Sequence, residues 1–543
     1  MNAVLNDILR SAISVGARLL GLVLTIAQQV RVVNFGRGQD RLRRKYFITD
    51  ETPVLAYGSE LEASINEAAK QFVGHAKFAS TSGSTGVPKR ILFTPRRLRL
   101  LKFTFSDFFL RYCWSFAIGR SSLYVFSSLS SDESLSSMLL DERRAPSYLS
   151  TLQAPYRIQC HPSLKLLAQT YGTTAVRLWI LAIANPGVLY STNPSTMSTF
   201  FDDLACNWRS SSKLVRDWHN SPDSFDQSLH RIARRLSSRG VARRISLIAG
   251  SNSPLPLESW APGVTTYICW TGGYVQLFLN RLAKHLRATR YRLLPMYSMS
   301  TETVETVSLI QRKSLSFVPL ASGVLYEFIA EEQPDVPASI LRPDQLEAGH
   351  NYSLVVSDAY GLRRYQTGDL FRCKRIISGL PDLRFLRRKE LEYSFTGEKL
   401  TEEQINSVFR TLRQELPELS DDFLTCVPSH PNDEQIPHYK LVLVSERVSE
   451  ALGTSQVLSE RCDDLLAEIN CEYGDKRRSG RLGPVRVVQL DRGGFIATMV
   501  GSERAVSWEA QFKFLPLYRQ TWESLSKNRK MPSDMPVASS LHF

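Results

Sequence analysis

The most distinctive stretch of this chain reads Ser80-Thr81-Ser82-Gly83-Ser84-Thr85-Gly86-Val87-Pro88-Lys89. Its two glycines let backbone N–H groups approach phosphate oxygens closely, its hydroxyl side chains add donors, and its lysine adds a cation. Ser/Gly/Thr clusters are also common in surface loops, but the complete pattern favours phosphate binding. A Walker A loop is excluded, because Lys89 stands three residues after Gly86 and is followed by Arg90 instead of Ser or Thr.

The residues around this loop predict an α/β arrangement. Residues 78–80 and 90–94 read as strands on either side of the loop, which places it in a strand–loop–strand unit. Further along, strand patterns at 245–249, 265–270 and 292–297 alternate with a helical pattern near 274–287. Such alternation is typical of layers of sheet and helix.

The rest of the chain predicts a second, smaller domain. Residues 320–376 read as sheet, and a Ser-Gly-Leu-Pro stretch followed by basic residues predicts a hinge around 377–390. Beyond it, helical patterns at 401–416 and 456–470 and strands at 440–445 and 484–489 suffice for an α+β lid. We therefore expect a large N-terminal domain over 1–387 and a C-terminal lid domain over 388–543.

Charge and cysteine content narrow the function classes. Lys and Arg outnumber Asp and Glu by 67 to 53, a net charge of +14. These basic residues are dispersed, so a solvated basic face that helps to attract a polyphosphate is favoured over nucleic-acid binding. Eight cysteines without a CxxC pair argue against a zinc site and fit a reducing compartment, so we expect a cytoplasmic protein.

Residues 1–45 predict a helical N-terminal segment with an apolar core at 19–27. Only twelve uncharged residues lie between Arg18 and Arg31, whereas a bilayer span needs about 20. A helix that docks on the protein is therefore favoured, with a signal peptide and membrane association as alternatives.

The loop at 80–89 closely resembles the signature loop of the adenylate-forming superfamily. Later segments resemble, in the same order, its auxin-responsive Gretchen Hagen branch of acyl acid–amido synthetases. They comprise residues 323–329, 346–349, 352–356, 361–369, 385–388 and 397–402, with looser matches at Thr271-Gly272-Gly273 and Gln511-Phe512-Lys513. The resemblance thus extends over about residues 80–515.

This resemblance implies residues that hold ATP and Mg²⁺. Asp369, in Thr367-Gly368-Asp369, would bind the ribose hydroxyls, a task that suits a carboxylate, although a Gly-Asp turn is the alternative. Thr301 would contact phosphate and Glu302 would bind Mg²⁺, unless they simply begin a helix. The family has an aromatic residue four positions before this Glu, where Ser298 stands, with Tyr297 one position further back. The loop would bind ATP through Ser82, Gly83, Ser84, Thr85, Gly86 and Lys89.

The resemblance also implies catalytic and acyl-binding residues. Arg387, next to its competitor Arg388, resembles the hinge-side arginine that contacts ribose or phosphate. Lys513 resembles the lysine that reaches the α-phosphate when the small domain closes, where it would neutralise charge as pyrophosphate leaves. Gly272 and Gly273 match part of the acyl pocket, and a strand-to-helix turn is the alternative.

The function implied is ATP-dependent activation of a carboxylic acid as an acyl adenylate, followed by transfer to an amine, with an amino acid as the expected acceptor. A monomer is expected, without nucleic acid and without membrane contact. Three alternatives stay open: a synthetase that forms a thioester with CoA or a carrier protein, a nucleotide-binding scaffold that has lost catalysis, and a nucleic-acid binder motivated only by the charge.

Overall fold

The computed structural model describes residues 2–72, 77–80, 89–118, 122–126, 161–272, 275–311, 314–389, 392–396, 398–430, 436–445, 454–499 and 515–527. The chain divides into two compact units, Met1–Leu386 and Arg387–Phe543. This division falls one residue before the boundary expected from the sequence.

The described residues of both units form many helices. Those of unit 1 are α1 Asn2–Val33, α2 Phe35–Lys45, α3 Ser59–Lys70, α4 Pro95–Ser115, α5 Pro162–Tyr171, α6 Thr173–Ala184, α7 Pro194–Cys206, α8 Trp208–Ser211, α9 Lys213–Asn220, α10 Gln227–Leu236, α11 Val241–Ala249, α12 Leu257–Trp260 and α13 Gln276–His285. Those of unit 2 are α14 Glu402–Glu415, α15 Thr454–Ile469, α16 Cys471–Arg478, α17 Arg492–Met499 and α18 Trp522–Lys527.

The strands form several separate sheets. In unit 1, strands β1 Lys77–Ser80 and β2 Arg90–Phe93 form an antiparallel pair. A parallel sheet consists of β3 Leu123–Val125, β4 Val188–Ser191, β5 Thr266–Cys269 and β6 Arg292–Pro295. A second antiparallel pair consists of β7 Val307–Gln311 and β8 Ser314–Val318. A further four-stranded sheet has the order β12-β11-β10-β9, with β9 Leu325–Ala330, β10 Asn351–Ser357, β11 Tyr365–Ile377 and β12 Leu380–Arg388. Unit 2 has the pair β13 Glu392–Tyr393 and β14 Leu400–Thr401, and the sheet β15 Phe423–Ser429, β16 His438–Val444 and β17 Arg486–Leu490.

The parallel sheet of unit 1 is buried on both faces. Alternate residues of one strand point to different cores: Val188 and Tyr190 of β4 belong to the core that contains α1, α4 and β9 to β12, whereas Leu189 belongs to the core built around α6. Continuous apolar strands of this kind are typical of a parallel sheet covered by helices. The predicted α/β class is therefore confirmed.

One predicted strand is a helix. Residues 245–249 belong to α11, which begins after Gly240, a residue in the left-handed region with φ of 77°. Ile245 and Ile248 are buried three positions apart, while Leu247 is exposed, so the apolar residues follow a helical period. A short apolar run alone does not distinguish the two structures. What fixes the helix is Arg244, whose Nε donates to the carbonyl oxygen of Ala182 at the end of α6, 2.7 Å away.

The predicted hinge region is also more regular than expected. Ser378 and Gly379 form the turn between β11 and β12, and both have positive φ. Residues 380–388, which the basic composition assigned to the hinge, continue as strand β12 in the four-stranded sheet.

Unit 2 has its own core, as an α+β domain requires. Helix α14 begins with a capping box in which Thr401 Oγ1 accepts from the backbone N–H of Gln404 and the Gln404 side chain accepts from the N–H of Thr401. Its buried face, which includes Ile405 and Leu412, packs with α15 and the strands of β15–β16.

Helix α1 packs against the rest of unit 1 through one face only. Gly21 approaches α4 so closely that a Cβ would stand 2.1 Å from the carbonyl oxygen of Leu110. Gln28 Nε2 donates to the carbonyl oxygen of Ser308 at 2.9 Å. The helix over residues 11–33 is long and apolar enough to cross a membrane, and only 22% of its most apolar 18-residue window is buried in the protein.

Candidate active site

The hairpin β1–β2 holds the predicted phosphate loop. Ser80 pairs with Arg90 in antiparallel register, so residues 81–89 close the hairpin as the strand–loop–strand reading predicts. The loop residues Ser82, Gly83, Ser84, Thr85 and Gly86 lie outside the described residues. Lys89, the last residue of the loop sequence, is described.

Lys89 lies between two tyrosines and a buried carboxylate. Its Nζ donates to the hydroxyl of Tyr365 at 2.9 Å and stands 3.7 Å from Oε1 of Glu302. The same ammonium lies 5.7 Å and 5.5 Å from the ring centroids of Tyr57 and Tyr365. Lys89 thereby joins the loop to the segment after β6 and to the start of β11.

The segment after β6 presents Glu302 at the carboxyl edge of the parallel sheet. In open α/β sheets this edge is where ligands bind. The Glu302 side chain is buried, and its carbonyl oxygen accepts from the guanidinium of Arg97, which in turn pairs with Asp358 at 3.1 Å. Thr301 is half-buried beside it. A backbone held in this way fixes the position of the Glu302 carboxylate.

Asp369 stands in a bulge of β11. The register of β10 with β11 shifts between Ser353 and Val355, which pair with Leu370 and Gln366, so residues 367–369 oppose a single residue of β10. Within the bulge Gly368 has φ of 77°, and the N–H of Asp369 donates to Thr367 Oγ1 at 3.1 Å. Bulges commonly aim a side chain at an active site. The Thr-Gly-Asp motif is therefore a bulge inside one strand and not a turn between two strands.

Glu305 is a functional candidate that the sequence reasoning missed. The hydroxyl of Ser298 donates to its carboxyl group, and this carboxyl group lies close enough to that of Asp369 for the two acids to interact. Burial, and next the nearby charge of Asp369, hold the pKa of Glu305 well above its usual range. Lys89, Glu302, Glu305 and Asp369 thus form one cluster of charged and acidic groups. A second glutamate three residues after Glu302 was the available signal.

Tyr297 has a structural position. Its ring is buried and packs edge-on against Phe108, with centroids 5.2 Å apart. Burial holds the pKa of its phenol well above the usual range. Since the ring is enclosed by the core, Tyr297 is not placed to stack on adenine.

Gly272, after β5, stands beside an indole ring. It is buried, and a Cβ there would lie 3.1 Å from Nε1 of Trp270. The Trp270 ring packs against Phe385 with centroids 5.2 Å apart, and the backbone N–H of Trp270 donates to the carbonyl oxygen of Thr192, just after β4. Gly273 lies outside the described residues. Gly272 therefore occupies the carboxyl edge of the sheet, as an acyl-binding role requires.

Of the two predicted catalytic residues, the structure describes only Arg387. Arg387 Nε donates to Oε2 of Glu403, 3.1 Å away in the first turn of α14. Lys513 lies outside the described residues. Their roles remain predictions.

The fold of this chain resembles that of a solved enzyme structure. A solved structure titled acyl acid amido synthetase in complex with 2,4-DB superposes with a TM-score of 0.66 at 16% identity, covering 95% of this chain and 96% of that chain. At this identity the likeness shows the fold alone.

Family comparisons agree with the fold. Residues 317–388 match the GH3 family central domain and residues 403–521 match the GH3 family C-terminal domain. Indole-3-acetic acid-amido synthetase GH3.4 of Arabidopsis thaliana is 23% identical over 319 residues, covering 56% of this chain and 53% of the relative. Jasmonoyl–L-amino acid synthetase JAR4 of Nicotiana attenuata is 31% identical, covering 31% of this chain and 29% of the relative. The chain thus spans about half the length of the first of these relatives. These matches confirm the resemblance seen in the sequence.

Proposed function

We propose that this chain activates a carboxylic acid with ATP and transfers the acyl group to an amine, with an amino acid as the acceptor. The observation that carries the proposal is the cluster of Lys89, Glu302, Glu305 and Asp369 at the exit of the phosphate loop, in a chain with two GH3 family domains. The relatives named above are amido synthetases for indole-3-acetic acid and for jasmonic acid, which supports an amide product.

In the first step a carboxylate oxygen of the acid attacks the α-phosphorus of ATP. The bond from the α-phosphorus to the bridging oxygen breaks, and pyrophosphate leaves with that electron pair. Little covalent chemistry is left to the protein, so positioning and charge stabilisation supply the catalysis. Lys89 would hold phosphate oxygens and Asp369 would accept from the ribose hydroxyls.

In the second step the amine nitrogen attacks the acyl carbon of the adenylate. The carbon–oxygen bond to AMP breaks, AMP leaves as the anion, and the nitrogen loses one proton. The products are an amide, AMP and pyrophosphate. Arg387 would act on phosphate only after exchanging its partner Glu403, and Lys513 would neutralise charge at the α-phosphate.

Glu302 fits a magnesium ion carried in with ATP. Mg²⁺ in nucleotide sites is held by one or two carboxylates together with substrate phosphates and water. Among the described residues no group of three or more His, Cys, Asp or Glu side chains could hold a metal without such help. Glu302, buried and 3.7 Å from the Lys89 ammonium, would therefore bind the ion jointly with the phosphates, and the ion would neutralise their charge.

The proposed reaction uses ATP and small metabolites, and we place it in the cytoplasm. The test is exchange of labelled pyrophosphate into ATP across a panel of acids that includes indole-3-acetic acid, jasmonic acid and 2,4-DB. Exchange should depend on one acid, and an amino acid should then give an amide. Thioester formation with CoA instead of an amide would support the thioester alternative, and no exchange by folded protein with any acid would support the scaffold alternative.

A further inference from the structure

The solvent face of α1 is apolar along most of its length. Every exposed position between residues 12 and 33 is glycine or an apolar residue. The large side chains among them follow each other at steps of three or four residues, which is one helical face; they are Val15, Leu19, Val23, Ile26, Val30 and Val33. At 1.5 Å per residue this face is about 30 Å long.

None of the polar side chains between residues 12 and 33 is exposed. Ser14 and Gln28 are buried, and the half-buried Arg31 donates from its guanidinium to the carbonyl oxygen of Leu320. An exposed apolar face of this size, opposite a buried polar one, marks an interaction surface. It is the reverse of the pattern of a helix that faces water.

The packing of α1 determines whether this face could cross a lipid bilayer or lie on its surface. The helix is long enough to cross a bilayer, but a crossing would remove Gly21 from its contact with Leu110 and break the bonds of Gln28 and Arg31 to unit 1. With unit 1 folded as described, α1 can only lie flat, with its apolar face in the boundary between headgroups and acyl chains.

The charges next to this face fit an anionic surface. Helix α2 begins one residue after α1 ends and exposes Arg37, Arg41, Arg44 and Lys45. Its single acidic residue, Asp40, is paired with Arg342 at 3.1 Å. Basic residues beside an amphipathic helix attract anionic lipid headgroups. We propose that the α1 face and these α2 residues bind the surface of an anionic lipid bilayer as a peripheral site.

A second copy of the chain is the competing occupant. Steps of three and four residues also occur in coiled coils, but there charged residues flank the apolar seam and specify the partner. Here the exposed positions on one side of the seam are Gly16, Leu20 and Ala27, none of which is charged. On the other side Ser11 is exposed, and Arg18 is half-buried with its guanidinium donating to the carbonyl oxygen of Ala117. The broad uncharged arc therefore favours lipid.

The test is co-sedimentation of the full chain with vesicles of phosphatidylcholine alone and of an equimolar mixture of phosphatidylcholine and phosphatidylserine. We compare Val23→Asp with the matched control Val457→Asp on α15, because the two valines are 59% and 56% exposed. Val23→Asp should weaken binding to the mixed vesicles about ten-fold or more, and Val457→Asp should leave it unchanged. Arg41→Glu with Arg44→Glu should weaken it about ten-fold, and wild-type protein should bind less to phosphatidylcholine alone.

Three results would overturn the proposal. One is wild-type protein that binds neither vesicle. Another is equal loss of binding in Val23→Asp and Val457→Asp. The third is a dimer in lipid-free light scattering that Val23→Asp dissociates while vesicle binding is unchanged, which would assign the face to a second copy. Pyrophosphate exchange should be the same in both valine variants, which confirms that they are folded.

Discussion

The buried carboxyl group of Glu305 lies beside that of Asp369, so a second acid faces the proposed ribose ligand. Two adjacent carboxyl groups share a proton more easily than they both ionise. Burial, and next the charge of Asp369, raise the pKa of Glu305, so we expect Glu305 to hold a proton that it can donate to Asp369. Asp369 is then left with acceptor sites for the ribose hydroxyls.

The first prediction tests whether Glu305 acts as a proton donor or as a negative charge. Glu305→Gln keeps an N–H donor for Asp369 and should change the KM for ATP in pyrophosphate exchange by less than about three-fold. Glu305→Ala leaves Asp369 without its partner and should raise that KM about ten-fold or more. Equal losses in the two variants would show that Glu305 acts by ionising.

The second prediction concerns stability and pH. The pKa of Glu305 is near 4.5 in an unfolded chain and well above that value in the folded one. Between these two values the folded state binds more protons, so stability falls as pH rises. Glu305→Gln does not titrate and should gain in melting temperature relative to wild type as pH is raised from about 4.5 to 7. Calorimetry at several pH values measures this difference, and a constant or opposite difference would refute the raised pKa.

The third prediction tests the role of Asp369 at the ribose. If its carboxylate accepts from the 2′-hydroxyl, wild-type protein should use 2′-deoxy-ATP about ten-fold less well than ATP in exchange assays. Asp369→Asn should use ATP less well and should lose most of that discrimination. Because both nucleotides are measured on the same variant, the ratio of their exchange rates does not depend on how much of that variant is folded. An unchanged ratio would remove Asp369 from the ribose site.

The fourth prediction concerns the lysine at the loop exit. Lys89→Ala removes the cation from the phosphates and should lower the exchange rate by about 10- to 100-fold. Tyr365→Phe removes only the hydroxyl that accepts a hydrogen bond from Lys89 at 2.9 Å and should lower the exchange rate a few-fold. Wild-type rates in Lys89→Ala would sink the phosphate assignment, whereas a Tyr365→Phe loss as large as that of Lys89→Ala would point to a direct role for the tyrosine.

Local patterns predicted the parts of this fold whose causes are local. The hairpin around the loop, strand β5 and the capped helix α14 follow from residues within a few positions of one another. The helix at 241–249 does not, because Arg244 is fixed by carbonyl groups of α6 that lie about sixty positions away in the chain.

The site shows the same division. Lys89, Glu302 and Asp369 stand in motifs that a sequence can display, and the fold brings them to one region. Glu305 became visible only through its position beside Asp369, since a glutamate three residues after another has many ordinary explanations. The burial of Tyr297 against Phe108 could not be read from the sequence, because it depends on where α4 packs.

The fifth prediction assigns the glycine after β5 to the acid and not to ATP. In Gly272→Ala the new methyl group would lie 3.1 Å from Trp270 Nε1, so the indole must shift by a few tenths of an ångström. Since Trp270 and Gly272 lie together at the carboxyl edge of the sheet, the KM for the acid should change by about 3- to 10-fold, with the KM for ATP unchanged. Gly38→Ala, where nothing lies within 4 Å of the new Cβ, is the matched control and should alter neither constant. A change in the KM for ATP alone would place Gly272 at the nucleotide, and the acyl pocket would then have to be sought elsewhere along this edge.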